Sequence, residues 1–214
     1  MPRRMGKSHE DLRADAVVAA RAMVRADGVA GLTVRRIAEA VGCSVGSVYN
    51  LFLDLDDIVL HLSAEVLDEL MAAVFDAPLP DEPAARVVAM AERYVAFAAG
   101  EPELWSMLFE HNLANDRPVP DWHADRVARL VAAVRAGAAE ALGGRSDAET
   151  NAGVDVLWAS VHGIAALGRR GKLGFVTGAT ATDMVRRLVT VYLAGRRALG
   201  AGEAMAGEGS RGRE

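Results

Sequence analysis

The sequence predicts an all-α protein, and three observations support this. Apolar residues make up 51% of the 214 residues, which is enough for a real core. β-branched residues do not alternate with polar ones, so the period-two signal of a half-buried strand is weak. Apolar residues instead recur at helical spacing, as at Leu12, Ala16, Ala20 and Met23. We expect a three-helix N-terminal module followed by a larger helical domain.

Composition limits the classes of function. A net charge of −5 argues against a general nucleic-acid coat protein, although a local basic site remains open. The single cysteine, Cys43, allows no internal disulfide and suits a reducing cytosol. No apolar run approaches the ~20 residues of a membrane span, and "MPRRMGKSHEDL" does not read as a signal peptide. The sequence therefore predicts a soluble, cytoplasmic protein without a membrane partner.

The first three helices follow from their caps and stops. A basic arm at 1–8, with Arg3, Arg4 and Lys7, precedes a helix at 10–26 that Asp27-Gly28 ends. Thr33 is predicted to cap a second helix that ends at Gly42. Ser44 caps a third helix, in which Val45, Val48 and Phe52 recur at i, i+3 and i+7.

Longer helices follow. Asp54 caps a fourth helix that runs to about 75, with Asp56 and Asp57 in the first turn, where the helix dipole favours acids. Beyond the Pro-rich "DAPLPDEP" we predict helices at 82–99, 102–112, 121–142, 147–170 and 180–199. The predicted domains are 9–56 and 57–199, with flexible tails at 1–8 and 200–214.

Two short helices joined by a tight turn, with a longer helix behind them, are typical of a helix-turn-helix DNA-binding module. Thr33 and Ser44 can offer hydroxyls and helix N-termini to phosphates, and Gly46 permits close approach. The candidate DNA-binding residues are Thr33, Arg35, Arg36, Ser44, Val45, Gly46, Ser47, Tyr49 and Asn50. The alternative is a plain helical hairpin whose caps serve stability alone.

The stretch "GLTVRRIAEAVGCSVGSVYNLF" resembles the signature of the TetR family of transcriptional regulators. The matching positions are Thr33, Val34, Ile37, Ala38, Gly42, Ser44, Gly46, Tyr49 and Phe52. The resemblance implies phosphate contacts for Thr33 and Tyr49, and it puts Asn50 at the groove wall and Phe52 in the core. By the same resemblance, Arg35, Gly46 and Ser47 would lie near base edges of a double-stranded DNA operator.

The sequence also departs from the pattern of that family. Val45 stands where many relatives carry lysine or arginine, and Leu51 where many carry an aromatic residue or histidine. The fourth helix starts Asp54-Leu55-Asp56, where relatives often have Ser-Lys-Glu with a lysine on a phosphate. Fewer phosphate contacts predict weaker and less salt-sensitive operator binding.

The C-terminal part resembles a subgroup of the same family with a Trp-x-x-x-His-Gly stretch, here Trp158, His162 and Gly163. The resemblance implies a ligand-sensing and dimerising role without catalysis. The broad apolar faces of the helices at 147–170 and 180–199 agree, because two such helices can pair with their copies in a four-helix bundle. We therefore predict a homodimer.

A ligand pocket is expected among the middle helices, for a small apolar effector. Its candidate residues are His61, Tyr94, Phe97, Trp105, Phe109, Trp122, Trp158 and His162, with Met107, Leu108 and His111 as further candidates. The alternative is ordinary core packing. The scattered histidines and the single cysteine predict no metal site and no cofactor.

The sequence thus predicts a ligand-responsive regulator, a repressor released from a palindromic operator by its effector, and not an enzyme. The alternative is a dimeric helical small-molecule-binding protein with weak or lost DNA binding, which Val45, Leu51 and Leu55 keep open. Activation instead of repression also stays open.

Overall fold

The computed structural model describes residues 8–111, 113, 117–143, 146–169 and 171–211. Over these residues the backbone forms α-helices and one 3-10 turn, and no strand occurs among them. The prediction of an all-α fold is therefore confirmed. None of the helices in this part of the chain combines the length and apolar character that crossing a membrane would require. The predicted basic residues Arg3, Arg4 and Lys7 lie outside the described residues.

The helices follow the predicted order closely. Their bounds are α1 His9–Asp27, α2 Val34–Val41, α3 Val45–Tyr49, α4 Leu55–Phe75, α5 Pro83–Gly100, α6 Pro102–Glu110, α7 Asp121–Leu142, α8 Asp147–Arg169, α9 Lys172–Thr177 and α10 Ala181–Arg211. The 3-10 turn is Val29–Gly31.

Two compact units make up the chain. The first unit consists of Met1–Leu70 and Glu101–Val127, and the second of Met71–Gly100 and Ala128–Glu214. The boundary predicted between 56 and 57 falls inside the first unit, because the first half of α4 packs as part of it. Arg21 of α1 shows this packing, since it lies 3.0 Å from Glu65 and 2.8 Å from Glu69 of α4.

The turn between α1 and α2 depends on two glycines. Gly28 ends α1 with a φ of 68°, a value that favours glycine. A Cβ atom at Gly31 would lie 2.3 Å from the Cβ of Asp27, so no larger residue fits there. This tight turn brings α2 back against α1, where Ala16, Ala20 and Ile37 are fully buried.

The second unit is built on α5, α8 and α10. Val87 and Met90 of α5 are buried, as are Val154 and Val161 of α8 and Val189 of α10. Gly137 of α7 allows a close approach, because a Cβ atom there would meet the sulfur of Met90 at 2.9 Å.

Two predicted features of the C-terminal part are corrected. The separator "GKLGFVTGAT" contains α9, a short helix between Gly171 and Gly178, both with a φ of 65°, and anchored by buried Leu173. α10 does not end at 199 but runs to Arg211, although the four glycines between 200 and 209 disfavour helix. The predicted tail at 200–214 is thus helical as far as 211, and 212–214 lie outside the described residues.

Candidate DNA interface and ligand-binding residues

α2 and α3 begin at side-chain caps, as predicted. The hydroxyl of Thr33 accepts from the N–H of Arg36 at 3.2 Å, and that of Ser44 accepts from the N–H of Ser47 at 3.0 Å. Ser44 and Ser47 also share a hydrogen bond of 2.9 Å between their hydroxyls. Both caps are exposed, so the neighbouring helix N-termini can meet an anion from outside.

The outer face of α3 carries the residues that the sequence predicts for DNA contact. Tyr49 is 55% exposed and Val45 41% exposed, and Gly46 and Asn50 are exposed beside them. Val45 therefore lies on this face and not with buried Val48 and Phe52. A Cβ atom at Gly46 would have Ser44 Oγ as its nearest neighbour, at an ordinary 3.7 Å. The protein itself thus gives no steric reason for glycine at this position.

The two candidate arginines of α2 differ. Arg35 is 83% exposed and is held by an i, i+4 pair with Glu39 at 3.1 Å. Arg36 instead points back to the end of α1, where its Nη1 donates to Asp27 at 2.7 Å and to the carbonyl of Gly31 at 2.5 Å. Arg36 has a structural role in closing the turn, which the spacing of the sequence could not reveal.

Leu51 does not lie on the exposed face. It is 6% exposed and belongs to the core of the first unit, so the lack of an aromatic or basic residue there does not bear on DNA contact. Leu53, which no pattern in the sequence singles out, is 71% exposed four residues after the end of α3. Val45, Leu51 and Leu55 stand where relatives often carry other residues. With Leu51 buried, only Val45 and Leu55 bear on DNA affinity.

The acidic residues after α3 have partners in the segment that follows α6. Arg117 donates to the two carboxylate oxygens of Asp54 at 3.0 and 3.1 Å, and it lies 3.9 Å from Asp57. His111 Nε2 lies 3.0 Å from Asp56. Asp54 also caps α4 by accepting from the N–H of Asp57 at 2.8 Å. These carboxylates therefore have intramolecular roles at the start of α4.

Four of the eight predicted ligand-binding residues lie in the first unit. His61 and Trp122 stack with ring centroids 4.9 Å apart, and Trp105 packs against Phe109 at 5.1 Å. Trp105 is fully buried, which fits the core alternative, whereas Trp122 is 36% exposed. His111, a further candidate, is engaged by Asp56.

The other four residues lie in the second unit. The hydroxyl of buried Tyr94 lies 2.8 Å from Nδ1 of His162, and the Trp158 ring lies 5.2 Å from the His162 ring. Phe97 is half-buried on α5. An open groove of about 570 Å³ also runs along α5 and α10, but the predicted residues do not line it.

Two histidines of the first unit are held neutral. Burial lowers the pKa of His61 below its ordinary 6.5, against the opposing effect of Asp57, and Arg13 lowers it further. Burial also lowers the pKa of His123, to which Arg126 adds. His123 Nε2 lies 2.5 Å from the hydroxyl of Ser63, which in turn donates to the carbonyl of Leu60 at 3.2 Å.

Two known protein families match the N-terminal and C-terminal parts of the chain. The family described as "Bacterial regulatory proteins, tetR family" matches residues 16–62, which include both short helices. The family described as "Tetracyclin repressor-like, C-terminal domain" matches residues 87–192. Together the matches cover more than half of the chain. The chain belongs to the TetR family of transcriptional regulators. Its DNA-binding helix-turn-helix is therefore α2–α3.

Solved structures share the fold, and two of the three described below are TetR-family regulators. A TetR-family transcriptional regulator from Streptomyces coelicolor matches with a TM-score of 0.69 and 18% identity, over 93% of this chain and 85% of its own. The TetR family transcriptional regulator PfmR from Thermus thermophilus matches with a TM-score of 0.59 and 14% identity, over 84% and 97%. A protein of unknown function from Rhodococcus sp. RHA1 matches with a TM-score of 0.73 and 24% identity, over 91% and 98%.

No curated protein matched this TetR-family chain. The resemblance to a Trp-His-Gly subgroup stays a prediction, because the matched families do not distinguish it.

Sequence reasoning missed one residue that bears on the TetR helix-turn-helix. Arg13 of α1 donates to the carbonyl of Leu51 and lies 2.9 Å from Nε2 of His61. A signal was present, because Arg13 falls at i, i+3 and i+7 with the buried Ala16 and Ala20. A cation on the inward face of an amphipathic helix indicates a specific partner.

Proposed function

We propose that this TetR-family regulator is a ligand-responsive repressor. It binds a palindromic operator as a homodimer and leaves it when a small apolar effector binds the C-terminal part. The observation that supports DNA reading best is the exposed face of α3, where Gly46 has no steric reason within the protein to be glycine. Glycine there suits close approach of a DNA backbone or base edge.

The DNA contacts that we propose come from three kinds of group. Thr33, Ser44 and Tyr49 contact phosphates, through hydroxyls and through the N–H groups of the helix starts. Arg35 is free to reach a guanine or a phosphate, since its pair with Glu39 is exposed and weak. Other candidates on α3 are Val45, Gly46, Ser47 and Asn50; Arg36 keeps its structural role.

We propose that the effector reaches the Tyr94–His162 pair. The buried hydroxyl of Tyr94 and the half-buried imidazole of His162, 2.8 Å apart beside the indole of Trp158, combine polar groups with an aromatic surface. Binding sites for small apolar molecules have this composition. An effector that favours a conformation with low DNA affinity weakens operator binding by its coupling free energy, typically about 1–3 kcal/mol.

The homodimer that we propose forms through α8 and α10. Val156 and Leu167 of α8 and Val191 of α10 are exposed apolar side chains. Gly163 of α8 and Gly195 of α10 have open space where a Cβ atom would lie. Packing within the protomer does not require glycine at these two positions. Glycine there would allow the helices of a second copy to approach closely. A two-fold operator requires such a pair of identical subunits.

One experiment tests repression by operator binding against the rival function, a small-molecule binder with weak or lost DNA binding. The protein selects double-stranded DNA from a random pool at low salt, with and without cell extract as a source of effector. A repressor enriches a palindromic sequence and releases it in some extract fractions. Exposed Val45, in place of a cation, is the feature that favours the rival. Failure to enrich any sequence would contradict the repressor function and favour the rival.

A further inference from the structure

Arg13 of α1 joins three parts of the first unit. One of its guanidinium N–H groups donates to the carbonyl of Leu51, immediately after α3. Another lies 2.9 Å from Nε2 of His61 on α4. The guanidinium carbon also lies 4.9 Å from the centre of the Phe52 ring. A single side chain thus ties the segment that follows α3 to both α1 and α4.

The contact with Arg13 defines the state of His61. A guanidinium only donates hydrogen bonds, so Nε2 of His61 must accept and cannot carry a proton. The imidazole is therefore neutral, with its proton on Nδ1. The lowered pKa of His61 agrees with this geometry.

Aromatic rings surround the imidazole and hold it in place. Trp122 of α7 stacks on it with an interplanar angle of 19°, and Phe52 meets it edge-on at 5.6 Å. The Arg13–His61 contact beside these rings is half-buried.

We propose that Arg13, held by neutral His61, is a positioning residue for the DNA-reading helix α3, and that protonation of His61 releases Arg13 and weakens operator binding. The inference rests on the proposed function, since operator binding is its readout.

The charges that face His61 determine how protonation of the imidazole affects Arg13. Arg13 of α1 and Arg126 of α7 oppose a second positive charge, while Asp57 and Glu65 of α4 favour one. A proton on Nε2 removes the acceptor of Arg13 and places two cations side by side. The guanidinium then turns away, and the Leu51 carbonyl loses its donor. α3 has only five residues and keeps its own hydrogen bonds, but the segment after it then loses its hydrogen bond to α1.

The first experiment compares Arg13→Met with Arg21→Met. Arg21 is a matched control, because it also ties α1 to α4, through Glu65 and Glu69, but does not touch α3. We measure hydrogen exchange of residues 45–52 in the full chain and affinity for DNA fragments enriched from the random pool. Arg13→Met is expected to speed exchange there and to weaken binding about tenfold more than Arg21→Met, the effect of one lost charged hydrogen bond. Equal effects of the two variants would overturn the proposal.

Arg13→Lys is a conservative variant that tests the same proposal if Arg13→Met does not fold. Lysine keeps the charge and the stem but lacks the planar fork that reaches two acceptors at once. It is expected to give an intermediate loss of DNA affinity with unchanged helix content by circular dichroism. Wild-type affinity for this variant would overturn the proposal.

The second experiment isolates the protonation of His61. Glutamine at this position offers an oxygen near the place of Nε2 and does not titrate, so His61→Gln keeps an acceptor for Arg13 at every pH. Because the pKa of His61 lies below 6.5, the imidazole is only partly protonated at about pH 5.5. Between about pH 7.5 and about pH 5.5, wild-type affinity for the enriched DNA is therefore expected to fall about threefold relative to that of His61→Gln. Parallel pH profiles would overturn the proposal.

Failure of the proposed function and failure of the Arg13 inference give different results. If the wild-type protein enriches no DNA, repression by operator binding is wrong. Hydrogen exchange of residues 45–52 without DNA then still decides the inference, because faster exchange in Arg13→Met than in Arg21→Met supports positioning of α3 and equal exchange refutes it.

Discussion

Substitution of Gly46 should affect the stability of the fold and the affinity for DNA in opposite directions. Alanine fits at this position without a clash, and in a helix it is more favourable than glycine by about 1 kcal/mol. We therefore expect Gly46→Ala to raise the melting temperature slightly. The added methyl group occupies the surface that DNA approaches, so affinity for the enriched fragment should fall about tenfold or more. Thermal unfolding and a binding titration check the two halves. Unchanged affinity would remove Gly46 from the interface.

Arg35 and Arg36 are neighbours with opposite expected behaviour. Arg35→Ala removes an exposed i, i+4 pair, so stability should change by less than about 0.5 kcal/mol while DNA affinity falls. Arg36→Ala removes two hydrogen bonds that close the turn after α1, so stability should fall by about 1 kcal/mol. Denaturant unfolding and DNA titration of both variants measure the contrast. The assignment is wrong if Arg35→Ala proves the less stable variant.

Among the elements, those with local signals could be predicted. Thr33, Ser44 and Asp54 cap their helices as expected, because a cap depends on a side chain and an N–H group three residues later. α9 was missed because its six residues are too few to show a helical period, and its anchor Leu173 reaches the core only in the folded chain.

The candidate site was less predictable than the helices that carry it. The exposed face of α3 follows from helical spacing, so Gly46, Tyr49 and Asn50 were found from the sequence. The roles of Arg36 and Arg13 were not, because their acceptors lie in tertiary contacts. The burial of Leu51 could not be told from the period of a helix that ends two residues earlier.

His61 of α4 and His123 of α7 make the stability of the first unit depend on pH. The pKa values of His61 and His123 are lowered by burial, so the unfolded chain binds more protons than the folded one just below pH 6.5. The stability that neutral histidines provide is complete above 6.5 and is lost as the pH falls through their folded pKa values. Melting temperature should therefore decrease from pH 7.5 towards pH 5.5, by about a few degrees.

The variant His61→Gln/His123→Gln isolates this effect. Glutamine stays neutral, so the decrease in melting temperature over the same range should become smaller than in the wild type. A variant that loses as much stability as the wild type would assign the pH dependence to other groups. His111→Gln is the comparison variant, because it removes another half-buried histidine of the same unit, 3.0 Å from Asp56.

At the scale of the whole molecule, charge sets the strength of the electrostatic part of DNA binding. The chain carries −5 overall, and residues 1–53 hold eight Lys and Arg against five Asp and Glu. The lysine that relatives often place at the start of α4 is replaced by Leu55, and the neighbouring acids face Arg117 and His111. We expect a log–log slope of operator affinity against salt that is shallower than about −8. A titration of the enriched fragment that gives a steeper slope would contradict this.

A second copy of the chain is expected to pack against α8 and α10. If α8 and α10 form the dimer interface, a charge at Val156 or Val191 must be buried without a partner, which costs several kcal/mol. Val156→Arg and Val191→Arg should therefore be monomers in sedimentation experiments, whereas Val131→Arg, on the exposed side of α7, should remain a dimer. A monomer engages one half-site at a time, while two linked modules engage both, about 34–36 Å apart, with a large gain in effective concentration. The monomeric variants should thus bind a half-site as the wild type does but lose the advantage of the palindrome. A dimeric Val191→Arg protein would place the interface elsewhere.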